Sequence, residues 1–178
     1  EGYVLNAQAQ IAVLDATARP APISPDTISA RCPDVTEGTG LASPQEAHLA
    51  FGARWRVLNR TAYGNAEGLA HLALPDAFTG DLQAGHILHP ALMDLATGWA
   101  MGLIPGYSGA HLWVPLSYGA VRVWTDLPQR IVSHARLRTD SDPGFASFDI
   151  TLATPDGAVV AEITRFTIKR LEQGSFAD

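Results

Sequence analysis

The chain has a single cysteine, Cys32, in 178 residues. No intramolecular disulfide can form, and a thiolate metal cluster has nothing to build on. Cys32 sits in a polar, proline-containing stretch with no activating partner beside it, which marks it as structural or incidental. Basic residues are few: 12 Lys and Arg stand against 18 Asp and Glu, a formal net charge of −6. With no Lys/Arg run and no basic helical face, the sequence argues against nucleic-acid and membrane-surface partners. No apolar run is long enough to span a bilayer, and no basic-then-apolar N-terminal signal is present. A reducing, cytoplasmic setting is the default expectation. Gly-rich phosphate loops, serine nucleophile elbows and Cys/His pairs are also missing. His48, His71, His111 and His134 are scattered, and no metal site is expected from them.

What is there is enough for one core. Hydrophobic residues make up 47% of the chain, and this length is usually one domain. The most informative stretch runs from His86 to Leu103. It reads as a mostly apolar helix carrying one carboxylate, Asp94. Pro90 suits a first helical position, where its fixed φ fits and its missing N–H is not needed. At helical spacing Asp94, Thr97, Gly98 and Met101 share a face, while Leu92, Leu95, Ala96 and Trp99 cover the others. A helix apolar nearly all round is buried. Asp94 is therefore expected to be carried into a core, which is costly unless the group is paired, neutral or functional.

Around this helix the chain reads as strands. Tyr3 to Leu14 alternates polar and apolar residues and predicts a strand. Asp15 to Pro25, with Pro20, Pro22 and Pro25, predicts an extended linker. Residues 27–39 are expected to be irregular. Ser43-Pro-Gln-Glu46 has the pattern of a capping box and predicts a short helix to Ala50, stopped by Gly52. Strands are predicted over Trp55–Ala62, Gly68–Leu74, Leu112–Thr125, Arg130–Thr139, Phe145–Thr154 and Ala158–Leu171. Pro115 and Gly119 mark an edge or bulge in the third of these. One apolar helix and six antiparallel strands bury each other if the sheet curls around the helix. The expected class is α+β, a hotdog fold.

At the central helix the sequence resembles the dehydratase domains of modular polyketide synthases, which are double hotdogs. Their second half carries His-Pro, a short apolar segment and an Asp on the central helix, matched here by His89-Pro-Ala-Leu-Met-Asp94. Phe51-Gly-Ala-Arg-Trp55 stands where the family has a Tyr-Gly-Pro-x-Phe segment. Val114-Pro-Leu-Ser-Tyr-Gly-Ala-Val-Arg-Val123 is similar to the family's Leu-Pro-Phe-like start of a strand reading x-Gly-Val-Arg-Val. Together these segments span roughly residues 41 to 171. Three departures stand out. The family's Gln or His four residues after the Asp is Gly98. Its Tyr and Pro are Phe51 and Ala53. Its catalytic His, in a His-x-x-x-Gly-x-x-x-x-Pro motif of the first half, has no counterpart, since neither His86 nor His89 fits that motif.

The resemblance implies the C-terminal hotdog half of a dehydratase. Residues 1–25 would be the last strand and linker of a preceding half, with 26–178 the dehydratase-like domain. The start at Glu1 rather than Met fits a piece of a longer chain. The implied reaction is loss of water from a β-hydroxyacyl thioester, giving an enoyl thioester. The substrate would ride on the phosphopantetheine arm of an acyl carrier protein, with no cofactor. Asp94 would be the catalytic acid or would hold the departing hydroxyl. His89, Pro90, Gly98, Phe51, Gly52, Val114 and Pro115 would bound the substrate. The alternatives are a dehydratase-derived isomerase, cyclase or scaffold, and a hotdog acyl thioesterase. More ordinary readings stand beside these roles: Asp94 as a structural carboxylate, His89 as a residue bonded to backbone at the helix start, and Trp99, Trp113 and Trp124 as core or tunnel wall. A hotdog half leaves strand edges and apolar surface uncovered, so its partner is expected to be the preceding half or, for the chain alone, a second copy.

Overall fold

In the computed structural model, residues 4–15 and 19–171 are described. The elements in chain order are α1 (Pro25–Ser29), β1 (Asp34–Glu37), β2 (Leu58–Tyr63), β3 (Glu67–Ala73), α2 (Pro90–Gly98), β4 (Trp113–Val123), β5 (Arg130–Leu137), β6 (Phe145–Ala153) and β7 (Val159–Arg170). Short 3-10 turns cover Ala53–Trp55, Asp76–Gln83 and Trp99–Leu103. The strands form one antiparallel sheet of order β1-β2-β3-β5-β6-β7-β4. The sheet curls around α2, the α+β hotdog arrangement expected from the pattern.

The alternation along β3 shows how the sheet is buried on two sides. Ala70 and Leu72, with Leu74 just beyond, join the large core built on α2, where Leu92, Leu95, Ala96 and Trp99 are buried. Leu69 points the other way, into a small cluster with Ile28, Cys32, Ala62, Val132 and Ala153 beneath α1. Cys32 is thus a fully buried free thiol, and burial pushes its pKa up. Arg31 closes this layer by a two-pronged bond to Glu67, at 2.7 and 3.0 Å, and His134 bonds the same carboxylate at 3.1 Å.

Trp99 locks α2 to the sheet. Its indole N–H donates to Ser133 Oγ at 3.0 Å, and Ser133 donates to the Ala96 carbonyl at 2.6 Å. Gly68 is glycine because a Cβ there would lie 2.9 Å from the Trp99 ring.

Four expectations are corrected. Residues 4–14 form no strand, and most of their side chains are exposed; an alternating segment becomes a strand when a ladder is available, and no described strand pairs with it. Tyr3, linker residues 16–18 and residues 172–178 lie outside the described residues. Residues 19–24 have no helix or strand and are tied to the end of the sheet: Arg19 donates to the Val159 carbonyl at 3.0 and 2.8 Å, and Ile23 N–H to Gly157 O at 2.9 Å. The linker ends in a helix, α1, capped by Ser24 with Pro25 in the first turn. The stretch 27–39, expected to be irregular, contains most of α1 and all of β1, whose four residues are exposed and so show no apolar alternation. At Ser43 the capping box forms, Gln45 N–H to Ser43 Oγ at 3.2 Å and Ser43 N–H to Glu46 Oε1 at 3.0 Å, but residues 44–48 make only turns and no helix follows. Gln45 is drawn inward to Tyr107 Oη and to the Trp113 amide, and Glu46 pairs with Arg56. Tertiary bonds win over helix propagation there. The long helix is also shorter than read. It begins at Pro90 as expected, but its last turn, Trp99–Leu103, tightens to 3-10.

Candidate functional site

Residues 90, 94, 98 and 102 follow one another at one-turn spacing along α2 and its 3-10 extension. Pro90, Asp94 and Gly102 are exposed and Gly98 is half-buried, whereas the flanking Leu92, Leu95, Ala96 and Trp99 are buried against the sheet. The helix therefore has one uncovered stripe, and Asp94 is its polar side chain. This corrects the expected burial of Asp94. The sheet wraps the opposite side of α2, and the short turn Ala53–Trp55 is what packs beside Asp94.

That turn supplies the partner of the carboxylate. Trp55 Nε1–H donates to Asp94 Oδ2 at 2.7 Å. Among the described residues no other hydrogen bond or ion pair reaches the Asp94 carboxylate. The turn is started by Gly52, whose carbonyl accepts the Trp55 amide at 2.9 Å. Phe51 anchors it by packing on the main core. Phe51, Gly52 and Asp94 are thus brought together, with Trp55 as the link that the sequence reading did not single out.

Gly98 leaves open space. A Cβ built there meets nothing within 4 Å, in keeping with the gap expected from the sequence. Gly102 is different: a Cβ there would come within 2.5 Å of the Tyr63 ring, so this glycine permits close approach of β2. Thr97, expected to share the Asp94 face, is buried and its hydroxyl donates to the backbone carbonyls of Met93 and Asp94.

His89 is 2% exposed and precedes Pro90 at the start of α2, with no capping bond from its side chain. It is bonded to a side chain rather than to backbone: its Nε2 faces Asp81 Oδ2 at 3.5 Å, and its Nδ1 is buried without a hydrogen-bond partner. Arg54 holds Asp81 from the other side at 2.6 Å and keeps that carboxyl below its usual range, with His89 adding to the effect. His86 meets His89 edge-on, ring centroids 6.2 Å apart. A cavity of about 260 Å³ opens among Arg54, Trp55, Asp81, His86, His89 and Pro90. Trp55 lies between this cavity and Asp94.

Val114 and Pro115 lie on β4, the outer strand of the sheet, paired with Lys169 and Ile168; the register shifts between Pro115 and Ser117, the irregularity expected from Pro115. The same strand brings Tyr118 into the electrostatic field of Asp94. Burial, and then the Asp94 charge, raise the Tyr118 phenol pKa, and its ring stacks on Phe166 with centroids 4.9 Å apart. Tyr118 was quoted in the sequence motif without a role. A larger cavity of about 390 Å³, bordered by Tyr107, His111, Ser141 and Phe145, contains none of the predicted site residues. No three His, Cys, Asp or Glu side chains among the described residues are grouped to hold a metal ion. No helix among them is long and apolar enough to cross a membrane.

Solved structures place this geometry among known folds. The dehydratase domain from the CurF module of curacin polyketide synthase superposes with a TM-score of 0.72 at 21% identity, over 85% of this chain and 53% of that one. A trans-AT polyketide synthase dehydratase domain from Brevibacillus brevis gives 0.72 at 22% identity, over 86% and 54%. A CurK dehydratase carrying an Asp-to-Asn change, described as an inactive mutant, gives 0.71 at 15% identity, over 86% and 54%. The chain thus spans about half the length of the solved dehydratases it matches. No curated protein matches it. The family model described as "Polyketide synthase dehydratase N-terminal domain" matches residues 20–178. With nearly the whole chain inside that match, and a curled sheet around an Asp-bearing helix, this chain belongs to the polyketide synthase dehydratase family as a hotdog half.

Proposed function

We propose that the chain is the acid-bearing, C-terminal hotdog half of a dehydratase that acts on β-hydroxyacyl thioesters carried by an acyl carrier protein in the cytoplasm. The description of the matching family model names the N-terminal domain; the assignment to the C-terminal half rests on the residues. The central helix bears Asp94 rather than a histidine, and no His-x-x-x-Gly-x-x-x-x-Pro motif occurs. The observation that carries the reading is Asp94 itself. It is the polar group on the open stripe of α2, held by one donor, in a chain half as long as its relatives.

In this reading the other half supplies the base. That base removes the proton beside the thioester carbonyl. Asp94 gives a proton to the departing β-hydroxyl, the C–O bond breaks, and water and an enoyl thioester result. Two groups of different proton affinity, placed on opposite sides of the substrate, suffice for this elimination. No metal or organic cofactor is required, because the carbonyl of the thioester already acidifies the proton. Phe51, Gly52, His89, Pro90 and Gly98 bound the acyl chain near Asp94, and Val114 and Pro115 bound it from β4. The inactive Asp-to-Asn variant of the CurK dehydratase supports an acid in this chemistry.

The partner surface agrees with a two-part site. The outer strand β4 exposes Leu116, Tyr118 and Val121 at 57, 44 and 40%, apolar area that a second half would cover. The deciding experiment assays the chain together with its preceding half on a β-hydroxyacyl carrier protein. Dehydration that disappears on Asp94→Asn is expected. Undiminished dehydration in that variant rejects Asp94 as the acid.

A second reading has its own observation. The empty space at Gly98 and the absence of the catalytic histidine motif fit a dehydratase-derived domain without dehydration activity, an isomerase, cyclase or scaffold. Failure of the two-half assembly to dehydrate, with the fold intact, selects it. Hydrolysis of acyl thioesters by the chain alone, lost on Asp94→Asn, would instead select a thioesterase.

A further inference from the structure

We infer that Trp55 is the positioning residue of Asp94: its indole N–H holds one carboxylate oxygen and leaves the other to face the substrate. The inference rests on the reading of Asp94 as the acid, and the bond itself can be tested without it.

Asp94 sits on an exposed stripe, where a carboxylate samples several rotamers unless something holds it. One turn further along the helix, position 98 faces the same side and has no side chain. The space there is empty, so position 98 supplies no restraint on Asp94. The restraint comes from the Ala53–Trp55 turn, through the 2.7 Å bond from Nε1 to Oδ2. The turn is itself fixed. Phe51 is packed into the core, the Gly52 carbonyl accepts the Trp55 amide, and Arg54 lies over the Phe78 ring and bonds Asp81. Trp55 is thus a rigid donor rather than a wandering side chain.

The chemistry of the indole makes the arrangement directional. An indole N–H donates and cannot accept. Oδ2 must therefore present a lone pair to Trp55 in both protonation states of the acid. When Asp94 carries its proton, Oδ1 is the favoured site for it, because a carbonyl oxygen accepts the indole N–H more strongly than a hydroxyl oxygen does. A glutamine at position 98 could donate or accept and would not impose that choice. Trp55 therefore biases which oxygen delivers the proton and holds the carboxyl in place. Loss of that orientation is the kind of small misplacement that costs about 10- to 100-fold in rate.

The first arm of the test is spectroscopic and uses the chain as it is, labelled with ¹⁵N. Trp55→Phe identifies the Trp55 indole resonance by its disappearance. In Asp94→Ala that resonance moves upfield as the charge-assisted bond is lost. The Trp99 resonance, bonded to Ser133, stays in place and reports that the fold is intact. A Trp55 resonance unmoved in Asp94→Ala overturns the inference, whatever the activity. The second arm measures dehydration by the complete two-half assembly. Trp55→Phe is expected to lower kcat about 10- to 100-fold with KM little changed, and Trp55→Phe combined with Gly98→Gln to recover part of the loss. A Trp55→Phe assembly with unchanged kcat overturns the positioning role. An upfield shift in the first arm, in an assembly whose wild type does not dehydrate, upholds the bond and rejects the proposed reaction instead.

Discussion

Two glycines of the central helix, four residues apart, have opposite reasons to be glycine. Gly98 adopts helical angles, φ −68° and ψ −33°, and has free space at its Cβ position. Glycine there costs helix stability and saves no contact. Gly98→Ala is expected to stabilise the fold by about 0.5–1 kcal/mol, measured by urea unfolding. Gly102→Ala pushes a methyl into the Tyr63 ring, itself packed against Trp99 at 5.5 Å between centroids. It is expected to destabilise by about 1–3 kcal/mol in the same measurement. Electrostatics at the residue scale concentrate on Glu67. The bond from Arg31, and then that from His134, lower its carboxyl to about 2. Its folded pKa lies below the unfolded one, so it contributes stability above about pH 4.3 that is lost as pH falls toward about 2. Burial lowers the His134 imidazole pKa even against the pull of Glu67. That contribution is complete above about pH 6.5 and also declines on acidification. Stability measured by denaturant across this range should fall in two stages, and Glu67→Gln should flatten the more acidic one.

At the scale of elements, α2 is held to the sheet through a short buried relay, Trp99 to Ser133 to the Ala96 carbonyl. Ser133→Ala leaves the indole N–H buried with no acceptor and is expected to cost about 1–3 kcal/mol, with the loss visible in chemical unfolding and in the Trp99 indole resonance. This is also the scale at which the sequence was most legible. The six strands expected between Trp55 and Leu171 are present, because a half-buried strand writes its two faces into a period of two; the alternation of Tyr3 to Leu14 is just as clear, yet residues 4–14 form no strand, since alternation does not supply a ladder to join. The helix start was legible because Pro90 fits a first turn. What escaped were elements whose signals are weak or overruled. All four residues of β1 are exposed and record no face. The Ser43 capping box was correct locally and was then overridden by Gln45 and Glu46 bonding elsewhere. Asp94 was legible as the one carboxylate of the central helix, but its exposure was not, since a helix pattern cannot tell which side the sheet leaves uncovered. Trp55 was quoted in a motif, yet a bond across 39 positions leaves no mark in local pattern.

For the whole molecule, the strand order leaves β4 as a long, apolar outer strand, with Leu116 its most exposed hydrophobic side chain. Edges of this kind are normally covered. In solution the chain alone is expected to form a homodimer through this face, and Leu116→Lys to shift it toward monomer in sedimentation equilibrium. A concentration-independent monomer for the unmodified chain would remove the argument for β4 as the partner surface. The molecule also carries its own optical gauge. Of its four tryptophans, Trp99 is sealed in the core, whereas Trp55 is half-buried between a cavity and the carboxylate it binds. If Asp94 is the acid of a dehydratase, as proposed, an acyl chain arriving there would strip water from that indole and shift its emission toward the blue, a signal of binding that precedes any bond breaking and that Trp55→Phe would remove.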